Sequence, residues 1–240
     1  MNINSLKNIL FLDIETVSQK ANLDELDGRF KALWEKKSAT FRNNNSPELN
    51  YEEKAAISAE FGKIICIGTG YFSEQDGELI FRTRSITNDS EKTLLEEFSE
   101  MLNKLNPQKN WRLCAHNGKE FDFPYLCRRM LISNLPLPLP LQIMGRKPWE
   151  TAHLIDTMEM WKFGDVKAYT SLELMAASLG VPSSKDDIDG SQVGRVFYES
   201  GDIGRIAKYC QKDVSVMAQV YMRLLGMELI EPSQIIHQRS

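Results

Sequence analysis

The sequence predicts an α/β protein, a mixed sheet of about five strands flanked by helices. Three observations carry that expectation. Short apolar runs of strand length alternate with stretches of helical period. Lys63–Phe72 and Glu78–Arg84 are β-rich runs on either side of Glu74-Gln75-Asp76-Gly77, and Asp-Gly is a strong hairpin signal. A long amphipathic helix closes the order. With 240 residues, 42% apolar and 26% charged, the chain is long enough to bury a core without disulfides. No internal repeat is evident, and a single domain over residues 1–240 is expected.

In chain order, Ile9 to Ile14 reads as a buried strand, apolar except for Asp13. Residues 19–60 are more polar, with helical stretches around Leu23–Trp34 and Tyr51–Ala59 separated by the loop at Asn43–Pro47. This segment is expected to be an insertion over a face or edge of the sheet. After the hairpin, Leu94, Leu95, Phe98, Met101, Leu102 and Leu105 mark one helix face, starting near Ser90 and stopping at Pro107. Trp111–Ala115 is a short strand that runs into His116-Asn117-Gly118 and a helix from about Phe121 to Leu131. Pro136, Pro138 and Pro140 force an extended crossover. His153–Thr157 is a fifth strand, and Ser171–Leu179 a helix ended by Gly180. Ile203, Ile206, Cys210, Val214, Met217, Tyr221 and Leu224 share one face of the last helix, bounded by Asp202 and Gly226. Residues 229–240 read as a tail.

Cys66, Cys114, Cys127 and Cys210 form no CxxC pair, and three of them lie in apolar stretches. Buried free thiols are expected rather than zinc ligands or disulfides, which points to a reducing compartment. The first apolar run is too short for a signal-peptide core, and no stretch approaches the ~18 apolar residues of a membrane span. A cytoplasmic protein is expected.

Three pieces carry candidate chemistry. In Asp13-Ile14-Glu15 the two acids are at i and i+2, so a strand turns both to one face. A carboxylate in a buried strand needs a partner or a metal, although strand-end acids also serve solubility or capping. Asp122 enters the middle helix at its first turn, where it could simply complement the helix dipole. Tyr209 and Asp213 stand one turn apart on the last helix, a spacing that an exposed pair also satisfies.

Taken in order, DxE, NxxxFD and YxxxD resemble the three exonuclease motifs of the DEDD superfamily in its tyrosine-bearing (DEDDy) branch. The surrounding FLDIET, AHNGKEFDFPYL and YCQKDV resemble the proofreading exonuclease domains of family-B DNA polymerases and their stand-alone bacterial relatives. Leu172–Val193 is similar to the segment that precedes the last motif in those relatives.

The resemblance implies a ribonuclease H-like fold and 3′→5′ exonuclease activity with Mg²⁺ or Mn²⁺. It implies a two-metal mechanism in which Asp13 bridges the ions and Glu15 and Asp213 hold the nucleophile-side ion. Asp122 reaches the site through water or at its edge, and Tyr209 orients or deprotonates the attacking water. Oxygen ligands suit Mg²⁺ or Mn²⁺ and argue against zinc. For the substrate, the family pattern suggests Thr16 at the terminal nucleotide, Asn117 at its sugar or phosphate, and Phe121 stacking on a base. Each has a local alternative: a strand-end Thr bonding its own backbone, an Asn in a turn, a core Phe.

His116, Asp156 and Asp165 are not assigned to the chemistry, and Lys185 is read as solvated unless it meets phosphate. The net charge of −4 argues against a sequence-independent nucleic-acid coat protein but not against a nuclease. The expected partner is the 3′ end of single-stranded DNA, with a DNA polymerase or repair protein as a further partner and no membrane. An RNA exonuclease and a non-catalytic binding module are the alternatives.

Overall fold

The structure is a computed structural model and describes residues 5–105, 110–165, 167–182 and 187–238. Its elements run β1 (Ile9–Ser18), α1 (Gly28–Ser38), α2 (Pro47–Lys54), β2 (Gly62–Gln75), β3 (Glu78–Thr87), α3 (Glu91–Lys104), β4 (Arg112–Ala115) and α4 (Asp122–Ile132). They continue through β5 (Leu154–Asp156), α5 (Thr157–Lys162), α6 (Leu172–Ser178), α7 (Val193–Arg195), α8 (Ile203–Leu224) and β6 (Ile235–His237). The six strands form one sheet in the order β5-β4-β1-β2-β3-β6. This is the expected mixed α/β sheet, with one strand more than the sequence suggested. The extra strand comes from the supposed tail, where Ile235–His237 pair in parallel with Phe81–Thr83.

β1 lies inside the sheet, antiparallel to β2 and parallel to β4. Phe11, Asp13 and Glu15 share the face that meets α8. Phe11 packs edge-on against Tyr221 at a 5.6 Å centroid distance, and Cys210 lies against Asp13. α8 crosses β1, β2 and β3. It can come this close because Gly68 stands opposite Asp13 in the ladder. A Cβ at Gly68 would meet the Cys210 sulfur at 2.7 Å, so any side chain there would lift the helix off the sheet. Just past the acids the register slips: Glu15 opposes Cys66 whereas Thr16 opposes Ile64. This β-bulge bends the strand end.

The β2–β3 turn is the predicted two-residue hairpin, with Asp76 and Gly77 both at positive φ (53° and 82°). Ser90 caps α3 by accepting from the Thr93 amide. The expected stop at Pro107 lies outside the described residues. Arg129 of α4 forms a buried ion pair with Glu91 of α3, and Glu91 also accepts from the Ile64 amide of β2 at 2.7 Å. That carboxylate therefore joins two helices to the sheet.

The segment 19–61 folds around a small core of its own in which Trp34, Tyr51 and Phe61 meet edge to face. Its ends are joined by the Gln19 amide donating to the Phe61 carbonyl at 2.8 Å. The helices fall later and earlier, respectively, than the apolar pattern indicated. Asp27 caps α1 by accepting from the Arg29 and Phe30 amides. Ser46 caps α2, with Pro47 in its first turn. Capping chemistry set these boundaries.

Candidate active site

Three elements bring the motif residues together: the middle of β1, the start of α4 and the second turn onward of α8. Asp13 is half-buried, Glu15 is buried, and their carboxylates lie with the Cys210 thiol so that one donor atom from each falls within 4.8 Å of the others. Cys210 reaches Asp13 twice, its Sγ standing 3.5 Å from the backbone carbonyl and 3.5 Å from Oδ2.

Asp122, the first residue of α4, is 3% exposed and accepts from the Ile14 amide at 3.2 Å. It is therefore pinned to the backbone between the two acids of β1. Asp213 is half-buried and stands one helical turn after Tyr209, whose phenol feels its charge. The structure thus brings Asp13, Glu15, Asp122, Tyr209 and Asp213 to the middle of β1, with Asp13 and Glu15 in the tight group and Asp122 and Asp213 bordering it.

The electrostatics are those of an uncompensated anionic cluster. Burial, followed by Asp122 and Asp213, pushes the Asp13 carboxyl well above its ordinary range. Burial, followed by Asp13, does the same to Glu15. Asp122 is raised to about 7, chiefly by burial and against the pull of its backbone hydrogen bonds. No ion pair among the described residues involves Asp13, Glu15 or Asp122. Carboxylates crowded without cations are a donor set suited to hard divalent ions, which would offset their repulsion. The Tyr209 phenol is pushed far up by burial and then by Asp213 and Glu15, so it is neutral and keeps its proton.

The other candidate residues sit around this cluster. Thr16 is half-buried beyond the bulge, near the Tyr125 phenol, which donates to the Ala56 carbonyl at 2.7 Å. Phe121 packs partly into the core, 5.3 Å from the Tyr125 ring. Asn117 adopts a left-handed backbone (φ 59°), and its buried Oδ1 has no hydrogen-bond partner among the described residues. Beside it opens a cavity of about 290 Å³, bordered by Lys119, Asp156 and Met158.

His116, Asp156 and Asp165 stand outside the cluster. The Asp156 carboxylate accepts from four backbone amides, those of Asn117, Lys119, Met158 and Glu159, at 2.9–3.2 Å. It therefore caps α5 and holds the turn that carries Asn117. His116 must donate from Nε2 to the Thr170 carbonyl (2.9 Å), which leaves Nδ1 to accept from the Thr157 hydroxyl (2.9 Å). Asp165 is exposed and accepts from the Lys167 amide. Lys185 lies outside the described residues.

Sequence reasoning missed two roles. Asp156 was seen only as a surplus acid, because its partners lie up to 39 residues away. Cys210 was read as core, although its place between Tyr209 and Asp213 was a signal that it lies beside the cluster.

Residues 56–232 match the protein family described as a predicted 3′-5′ exonuclease related to the exonuclease domain of PolB. The matched stretch holds Asp122, Tyr209 and Asp213, while Asp13 and Glu15 precede it. The family B DNA polymerase of the hyperthermophilic archaeon Pyrobaculum calidifontis has a similar fold, with a TM-score of 0.56 at 14% identity. That likeness covers 90% of this chain and 24% of the polymerase chain. It is consistent with the ribonuclease H-like fold that the motifs implied. No helix among the described residues is long and apolar enough to cross a membrane. The match over most of its length, with the sheet and the acidic cluster, places this chain in the family of PolB-related 3′-5′ exonucleases.

Proposed function

We propose that this chain is a metal-dependent exonuclease of the tyrosine-bearing DEDD branch that removes nucleotides from the 3′ end of single-stranded DNA. The observation that carries this reading is the meeting of Asp13 and Glu15 with Asp122 and Asp213 at the middle of β1, with no ion pair to Asp13, Glu15 or Asp122 among the described residues. Four negative groups would repel a phosphate backbone unless divalent cations stood between them, and a module that only bound nucleic acid would have no use for them.

Asp13, Glu15, Asp122 and Asp213 hold Mg²⁺ or Mn²⁺. Bound there, such ions supply an activated water and stabilise the leaving 3′ oxygen. The chain's own contribution is position. Asp122 is locked by the Ile14 amide, and Asp13 is steadied by the Cys210 thiol. Tyr209, neutral and one helical turn from Asp213, orients the attacking water rather than deprotonating it. Asn117, with an open acceptor at the edge of a cavity, meets the sugar or phosphate of the terminal residue. Thr16 and Phe121 flank that residue. The architecture shared with a polymerase chain supports work beside a DNA polymerase or repair protein.

The test is digestion of 5′-labelled single-stranded DNA and RNA with Mg²⁺ or Mn²⁺. A ladder that shortens from the 3′ end of DNA, and is absent for Asp13→Ala, is the expected result. Preferential digestion of RNA would move the reading to an RNA exonuclease. No product from either polymer would leave a binding module.

A further inference from the structure

We propose that the carboxylate cluster is also an inhibitory site for thiophilic divalent cations of the zinc and cadmium class, with the Cys210 thiolate, Asp13 and Glu15 as its ligands. The inference rests on the reading of Asp13 and Glu15 as cation-binding carboxylates and adds the sulfur that the hard-metal reading leaves unused.

The geometry is already that of a small soft-metal site. A tetrahedral ion about 2.3 Å from sulfur and about 2.0 Å from oxygen holds those two atoms about 3.5 Å apart. The Cys210 Sγ and Asp13 Oδ2 stand 3.5 Å apart. One oxygen of Glu15 completes the group, with all three donor atoms inside 4.8 Å.

The sulfur is held in place. Gly68 gives it room, since a Cβ there would press on it at 2.7 Å. Cys66, which opposes Glu15 in the ladder, packs in one cluster with Cys210 and brings a second sulfur to the same side. Cys210 is fully buried while Asp13 is half-exposed. The ion therefore enters past the carboxylates and meets sulfur as its innermost ligand, the thiol proton leaving to solvent.

Magnesium and manganese prefer oxygen and gain little from a thiolate, whereas zinc and cadmium gain a strong ligand. A zinc-class ion should thus displace the hard ions from Asp13 and Glu15 and stop turnover. One side chain, Cys210, would set this selectivity.

The experiment is a titration of the full chain with cadmium chloride, read by the ultraviolet sulfur-to-cadmium charge-transfer band. Wild type and Cys127→Ser should develop the band with equal affinity, while Cys210→Ser should lose it and, by calorimetry, bind cadmium roughly tenfold or more weakly. No band in wild type, or equal affinity in Cys210→Ser, overturns the proposal. Should Cys210→Ser fail to fold, Asp13→Asn is the second variant. It keeps the thiol and should also weaken binding, and unaltered affinity there overturns the proposal. In a nuclease assay with Mg²⁺, cadmium should inhibit wild type at lower concentration than Cys210→Ser, each compared with its own cadmium-free rate. If the chain digests no nucleic acid, the absorption arm still decides this inference, so the two failures are distinguishable.

Discussion

Asp156 and Asp13 are both aspartates on strands of one sheet, yet their surroundings are opposite. Asp156 ends β5 and is met by four backbone amides from two segments of chain. Asp13 sits within β1 and is met by one weak donor, a thiol, while Asp122 and Asp213 press on it with like charge. The first carboxylate is neutralised by the fold and serves the fold. The second is left in deficit, which a proton or an added cation can relieve. On the proposed reading, the mark of a chemical carboxylate in this protein is a lack of donors rather than burial.

The largest expected effect separates the two. Asp13→Asn should lower nuclease activity on the order of 10³-fold or more. It should leave metal-free stability in urea unchanged or higher, because it removes a charge from a repelling group. Manganese at about a hundred times its dissociation constant should stabilise wild type by about 2.7 kcal/mol and stabilise Asp13→Asn far less. A loss of metal-free stability in Asp13→Asn would erase the contrast.

Asp156→Ala should do the reverse and cost about 2–4 kcal/mol of stability in urea unfolding, since it removes a helix cap and strands two turn amides. Its manganese affinity should stay close to wild type. A strong loss of manganese binding would make Asp156 a ligand after all.

Tyr209→Phe keeps the ring and removes the hydroxyl that stands near Asp213. Turnover should slow by on the order of tenfold to a hundredfold with manganese affinity retained, as calorimetry would report. Loss of metal binding there would mean that the phenol holds the site together rather than orienting water.

The smallest effect concerns His116, at the turn that Asp156 anchors. Burial holds its imidazole below the ordinary 6.5, so the folded state binds fewer protons than the unfolded state beneath that pH. Stability is therefore full above 6.5 and falls as pH drops towards the folded value. The slope is at most about 1.4 kcal/mol per pH unit for one proton. Urea melts of wild type and His116→Gln at neutral and mildly acid pH should converge as pH falls, and parallel curves would refute this.

Much of this was legible in the sequence because it rests on local spacing. The period of two put Asp13 and Glu15 on one face, and the turn of four paired Tyr209 with Asp213. Ser90, Ser171 and Asp202 announced helix starts that the structure keeps. What was hidden depends on distant chain. Cys210 has the spacing of a core residue, and its approach to Asp13 depends on Gly68 in another strand. Asp156 shows its role only when β5 is laid beside β4. The last strand is three residues long, too short for alternation to register, and exists because β3 offers it an edge.

The bulge after Glu15 and the Gln19–Phe61 hydrogen bond that closes the neighbouring segment together decide where this chain can change its length. Within the paired strands, a slip of one residue would turn Asp13 and Glu15 to the other face of the sheet. Beyond the neck, residues 20–60 form a closed loop, and each doubling of such a loop costs only about 0.6 kcal/mol of closure entropy. Insertions and deletions can therefore gather there, and partner surfaces can be gained or shed, while the spacing of the acids stays fixed.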